Sequence, residues 1–123
     1  YVAVVAGHLT PKSGTVDLPL IVDWPNRPLQ KVCHETGRPA VTDWKVLKHG
    51  PGQSRVMLMP KTGRSHQLRV HCKALGHPIL GDPFYADGAD LNAAPRLLLH
   101  SWKLRLRHPA GGRGMEFVAT PPF

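Results

Sequence analysis

Residues 2–6, Val-Ala-Val-Val-Ala, form the longest purely apolar run of the chain and read as a strand from its start. A strand apolar on both faces requires neighbours on both sides. Residues 8–15, broken by Pro11 and Gly14, read as a turn region. Residues 16–22 are apolar but carry Pro19, which points to an edge or short strand. Residues 42–48 alternate, with Thr42, Trp44 and Val46 on one side and Asp43, Lys45 and Leu47 on the other. Residues 55–59 form a second strand. The turn signal His49-Gly50-Pro51-Gly52-Gln53 between them predicts a hairpin with a loop longer than the tight two-residue kind.

Residues 65–75 carry the one convincing helical pattern. Leu68, Cys72 and Leu75 recur at i, i+4 and i+7 as one apolar stripe, and Gly76 and Pro78 follow as stop signals. Arg69 lies about 100° round from Leu68, at the border of that stripe. Residues 98–106 alternate as a clean strand, Leu98, His100, Trp102, Leu104 and Leu106 against Ser101, Lys103, Arg105 and Arg107. Pro109 ends it, 111–114 turn, and 115–119 return as a last strand. The class is α+β: a mostly antiparallel, mixed β-sheet with flanking helices. At 123 residues it is one domain's worth of chain, without internal repeat or linker. Because it opens directly on an apolar strand, it reads as the latter part of a longer protein, incomplete at its N-terminal side.

Charge narrows the function. Sixteen Lys+Arg against eight Asp+Glu give +8, which favours a polyanionic partner such as nucleic acid or an anionic membrane surface, nucleic acid being the expected one. No apolar run approaches the roughly 18 residues that span a bilayer, so no membrane role is expected. Two distant cysteines, Cys33 and Cys72, suit a reduced, cytoplasmic protein.

Self-contained catalytic chemistry is hard to find. No two carboxylates share helical or strand spacing, and Asp82 in Gly-Asp-Pro reads as a turn former. Asp82, Asp87 and Asp90 lack calcium-loop spacing. His66 and His71 are five apart, roughly 140° divergent on a helix, so no metal site is expected. Thr62-Gly63-Arg64-Ser65 lacks the glycines of a P-loop.

The remaining chemistry is cationic. Lys61, Arg64, His66 and Arg69 fall within nine residues, and Arg27 and Lys31 flank the rigid loop Trp24-Pro25-Asn26-Arg27-Pro28. Arg64 is placed at the helix start, where free backbone N–H groups favour an anion. Arg69, half-buried, needs a mate, because an unpaired buried charge costs several kcal/mol. No carboxylate nearby in sequence offers itself. The mate is therefore a distant acid of this chain, an acid outside it, or a nucleic-acid phosphate.

Residues 63–71, Gly-Arg-Ser-His-Gln-Leu-Arg-Val-His, resemble a signature of the RNA pseudouridine synthases of the large ribosomal-subunit type. Leu75-Gly76-His77-Pro78-Ile79-Leu80-Gly81-Asp82, Tyr85, Arg96-Leu97-Leu98-Leu99-His100 and Tyr1 continue the resemblance. Residues 16–20, 23–28 and 31–33 look most like the branch that modifies both 23S ribosomal RNA and transfer RNA. The resemblance implies that the chain, 1–123, is the C-terminal portion of one catalytic domain of pseudouridine synthase type. It implies an isomerase without metal or cofactor, which detaches uracil from ribose C1′, rotates it and rejoins it through C5.

In that family an aspartate is essential, in an Arg-Leu-Asp segment ahead of the tyrosine strand. None of the six aspartates here follows an Arg-Leu pair, so the chain alone is expected to be inactive. Carried over, Arg69 pairs with that aspartate, keeping it ionised and aimed, and Tyr1 stacks on the flipped uracil. Arg27, Lys31, Lys61, Arg64 and His66 grip RNA. Structured RNA is the expected partner, 23S rRNA and a tRNA anticodon stem-loop, with the protein as a monomer. The competing readings are a non-catalytic basic RNA-binding module and a DNA-binding domain.

Overall fold

The structure is a computed structural model that describes residues 1–101, the backbone of the strands at 103–107 and 114–118, and residue 123. Strand β1 (Val2–Ala6) sits inside a five-stranded sheet, and this position answers its two-sided apolar pattern. Val2, Ala3, Val4 and Val5 are all buried. On one side β1 pairs with β6 (Gln53–Pro60), on the other with β7 (Leu99–His100). The sheet continues outward from β6 through β5 (Val41–Gly50) to β2 (Ser13–Asp17), with every pairing antiparallel. Two small ribbons form separate pairs: β3 (Leu20–Val22) with β4 (Gln30–Val32), and β8 (Lys103–Arg107) with β9 (Gly114–Val118).

The apolar stretch 16–22 is two strands rather than one. Pro19, which has no N–H to give a ladder, separates β2 from β3. The β5–β6 hairpin closes through Pro51 and Gly52 alone, because His49 still pairs with Ser54 and Gly50 with Gln53. Pro ahead of a Gly at φ +65° suits a type II turn, so this loop is shorter than its turn signal suggests. A bulge at Leu47 shifts the register and leaves that side chain exposed. The pattern 98–106 is likewise divided, since β7 joins the main sheet and β8 pairs only with β9. Trp102 and the side chains assigned to the two faces of 103–107 lie outside the described residues, as do Pro109 and 111–113.

Helix α1 (Gln67–Ala74) packs its Leu68–Cys72 stripe against Ala3, Val5, Val56, Leu58 and Ile79. Each aliphatic side chain the size of Leu58 or Ile79, both fully buried, contributes about 1.5–3 kcal/mol. The helix is shorter than the 65–75 pattern, because His66 at its N-terminus is left-handed, φ 55°. It ends as its sequence predicts. Gly76, φ +85°, donates to the Lys73 carbonyl, and His77 N–H donates to that of Cys72, a Schellman cap. A second short helix, α2 (Gly88–Asn92), lies beyond the segment carrying Asp82 and Tyr85. Among the described residues no helix is long and apolar enough to cross a membrane.

Candidate active-site cleft

The strand β6, the turn 61–66 and helix α1 meet where Gln67 is buried. Its Oε1 accepts from the Thr62 hydroxyl (2.6 Å) and the Arg64 N–H (3.0 Å). Its Nε2 donates to the Val41 carbonyl and to Thr42 Oγ1, both at 2.9 Å. The Thr42 hydroxyl in turn donates to His71 Nδ1 (2.8 Å), and His71 donates from Nε2 to the Leu18 carbonyl (2.9 Å). Every polar atom of the Gln67 amide is used, so the turn is fastened to both β5 and α1. Burial pushes His71 below its ordinary pKa of 6.5, in keeping with a neutral ring that accepts at one nitrogen. Sequence reasoning passed over Gln67. A glutamine at a helix start carries no periodic signal, and its role depends on partners from β5 and the turn 61–66.

Two residues along α1, Arg69 finds its mate inside the chain. Its Nε donates to Asp82 Oδ2 at 2.9 Å and its Nη2 to Oδ1 at 2.6 Å, a two-pronged ion pair. Asp82 is fully buried. Its Oδ1 also accepts from the N–H groups of Phe84 and Tyr85, so it caps the turn as its Gly-Asp-Pro setting predicts. The reading of Asp82 as a turn former alone is therefore corrected. Of the three mates open to Arg69, the distant acid of the same chain is the one present. Gly81, φ +74°, sets this up, because a Cβ there would overlap the Arg96 carbonyl. The Phe84 and Tyr85 rings, nearly perpendicular to each other, also lie beside the guanidinium, with centroids 5.0 and 5.2 Å from its carbon.

Tyr85 then reaches His66. The Gln30 N–H donates to the phenol oxygen (2.9 Å), and the phenol donates to His66 Nδ1 (2.6 Å). Burial, aided by the charge of Arg69 and opposed by that of Asp82, lowers the His66 pKa. A neutral His66 with Nδ1 engaged holds its proton on Nε2.

Of these groups, Thr62, Arg64, His66, Gln67 and Arg69 border one cleft of about 370 Å³, which Tyr1 and Leu99 also line. The structure thus brings Tyr1, Arg64, His66 and Arg69 together. Tyr1 is 43% exposed, an open aromatic surface at the start of the central strand. Asp82 leaves the Nη1 donors of Arg69 without a partner among the described residues. None of the described lining residues is acidic.

The remaining cations fall elsewhere. Arg64 stands three residues ahead of α1 rather than on its first turn, and its Nε donates to the Pro39 carbonyl (2.8 Å). Lys61 forms an exposed ion pair with Asp43 at 3.4 Å, between the lining residues Pro60 and Thr62. Arg27 lies over the Trp24 ring, and Lys31 is on β4; neither borders the cleft. Among the described residues no group of three or more His, Cys, Asp or Glu is arranged to hold a metal.

Known proteins resemble this chain in sequence and in fold. The dual-specificity RNA pseudouridine synthase RluA of Escherichia coli (strain K12) is 59% identical over the whole chain, which covers 57% of that protein. RluA of Yersinia pestis is 53% identical, with 60% of it covered. The chain therefore spans a little over half the length of these curated relatives. Human RNA Pseudouridylate Synthase Domain Containing 1 superposes with a TM-score of 0.81 at 33% identity, over 99% of this chain and 54% of that one. Human RNA Pseudouridylate Synthase Domain Containing 4 gives 0.74 at 28% identity, over 98% and 56%. The family model described as RNA pseudouridylate synthase matches residues 1–74, which carry Tyr1, the turn 61–66 and the whole of α1 with Arg69. On that match, and on a fold in common with solved members, this chain belongs to the RNA pseudouridylate synthase family.

Proposed function

We propose that the full-length protein converts uridine to pseudouridine in structured RNA, with 23S ribosomal RNA and transfer RNA as substrates. The observation that carries the reading is the meeting of Tyr1 and Arg69 in one cleft whose wall includes Arg64. A uridine turned out of its stack needs an aromatic surface to receive the base, and Tyr1 supplies it at the cleft wall. The free edge of Arg69, held by Asp82 from behind, presents N–H groups to an anion. Because none of the described lining residues is acidic, the reactive carboxylate is assigned to protein outside residues 1–123, as the family resemblance implies. Arg69 orients that carboxylate and keeps it ionised. The N1–C1′ bond of the nucleoside then breaks, the uracil turns, and a C5–C1′ bond forms as the C5 proton leaves and N1 is reprotonated.

Arg64 and Lys61 meet the phosphates beside the flipped nucleotide, and Arg27 and Lys31 extend the basic surface along the RNA. Such a role suits a monomer working in the cytoplasm, and the +8 charge supports the partner. Once Asp82 satisfies Arg69, the guanidinium no longer demands an outside acid for its own stability. This internal pairing favours a second reading, a basic RNA-binding scaffold without catalysis. Mapping pseudouridines in cellular RNA before and after deletion of the full-length gene separates the two. Loss of defined sites supports the enzyme, and an unchanged map supports the scaffold.

A further inference from the structure

A second cleft, of about 460 Å³, lies on the far side of the turn 61–66 and shares Gly63 and Arg64 with the first. Trp24 borders it, and at 62% exposure this is the most exposed large hydrophobic side chain among the described residues. Its position is held. Asp23 and Asn26 close the turn around it through N–H to carbonyl (2.9 Å) and amide to carboxylate (3.0 Å) bonds. Pro25 stiffens the same turn. The Arg27 guanidinium lies 4.4 Å from the indole centroid and so covers part of the ring, while the exposed remainder is free to stack. Arg38, fixed by paired backbone bonds to Leu20, stands with Arg64 in the wall of this cleft, and none of its described lining residues is acidic.

An exposed aromatic ring beside two arginines is how proteins hold single-stranded nucleotides, with the ring on the base and the cations on the backbone. Arg64 stands in the wall common to both clefts. With its Nε tied to the Pro39 carbonyl, the guanidinium is anchored where a chain passing from one cleft to the other would place a phosphate. We propose that the second cleft receives the nucleotide adjoining the reacting uridine, its base stacked on Trp24 and the intervening phosphate held by Arg64. This rests on the functional reading above and deepens it. The unpaired residue beside the target is gripped through its π-face, with little selection of base.

The test uses the full-length protein and a stem-loop RNA with the target uridine in its loop. The nucleotide on the 5′ or the 3′ side of that uridine is replaced by an abasic residue. At one of these positions the abasic change is expected to weaken binding of the native protein about tenfold, the effect of removing one stack. W24A is expected to bind intact RNA about tenfold more weakly and to lose nothing further at that same position. W24F, which keeps a ring, is expected to recover most of the loss. If the abasic change weakens W24A as much as the native protein at both positions, or weakens neither, the subsite is refuted. A coupling between Trp24 and the base in a protein that forms no pseudouridine would uphold the stacking subsite and overturn the catalytic reading instead.

Discussion

Arg69 and Asp82 are joined by two parallel hydrogen bonds at the inner wall of the cleft, with the carboxylate fully buried and the arginine side chain 14% exposed. Asp82 serves two structures at once, the capped turn that carries Phe84 and Tyr85 and the guanidinium that faces Tyr1. Removing it leaves a half-buried cation with its rear face unpaired.

Asp82→Ala is therefore expected to destabilise the full-length protein by roughly 3–5 kcal/mol, the usual cost of breaking one side of a buried pair. Urea unfolding measures this. Asp82→Asn, which keeps an acceptor for the Phe84 and Tyr85 N–H groups, should lose less. A D82A protein as stable as the native one would show that the pair contributes nothing.

How far this site was legible in the sequence depends on the distance over which each interaction acts. The position of Arg69 at the border of a buried stripe follows from its place on the helix, and the cleft bears this out. Its mate lies 13 residues away across the Gly76 turn, and only the fold brings the two together. A Gly-Asp-Pro aspartate announces a turn whether or not it also holds a cation. The same limit hid Gln67, whose partners come from β5 and the turn 61–66. Local chemistry was read well where it is local: the apolar centre of the sheet, the inward row Thr42, Trp44 and Val46, and the Gly76 cap. It was misread where neighbours decide, as when ladder pairing of His49 and Gly50 shortens the hairpin loop or the left-handed His66 delays the helix.

Lys61 and Arg64 differ in their anchoring, and their roles should differ in degree. Lys61 holds Asp43 through an exposed pair of little energetic weight, so it is free to meet a phosphate. Replacing either by Ala should weaken RNA binding to a similar extent whatever the loop sequence. Each phosphate no longer neutralised should make the plot of log affinity against log salt shallower by about 0.7–0.9. An unchanged slope in K61A would remove that lysine from the RNA interface.

His71 makes stability depend on pH. Its folded pKa is lowered by burial from the ordinary 6.5, so as pH falls the unfolded chain takes up its proton first. The stabilisation is full above the unfolded value and is lost as pH drops from there toward the lower folded value. His66, lowered for the same main reason, adds to the trend. Denaturant midpoints should therefore fall between about pH 7.5 and pH 5.5. His71→Gln should be less stable at the upper pH yet lose less on acidification. An equal loss in both proteins would place the titration elsewhere.

Arg69→Met in the full-length protein bears on the whole catalytic reading, because Met keeps the packing of the stem and removes only the charged fork. Pseudouridine formed in a target stem-loop and affinity for that RNA should be measured side by side. R69M is expected to bind within a few-fold of the native protein and to form no detectable pseudouridine, a loss of at least about a hundredfold in turnover for a group acting on the reactive carboxylate. Turnover near the native rate, or a large loss of affinity with turnover retained, would contradict the role assigned to Arg69.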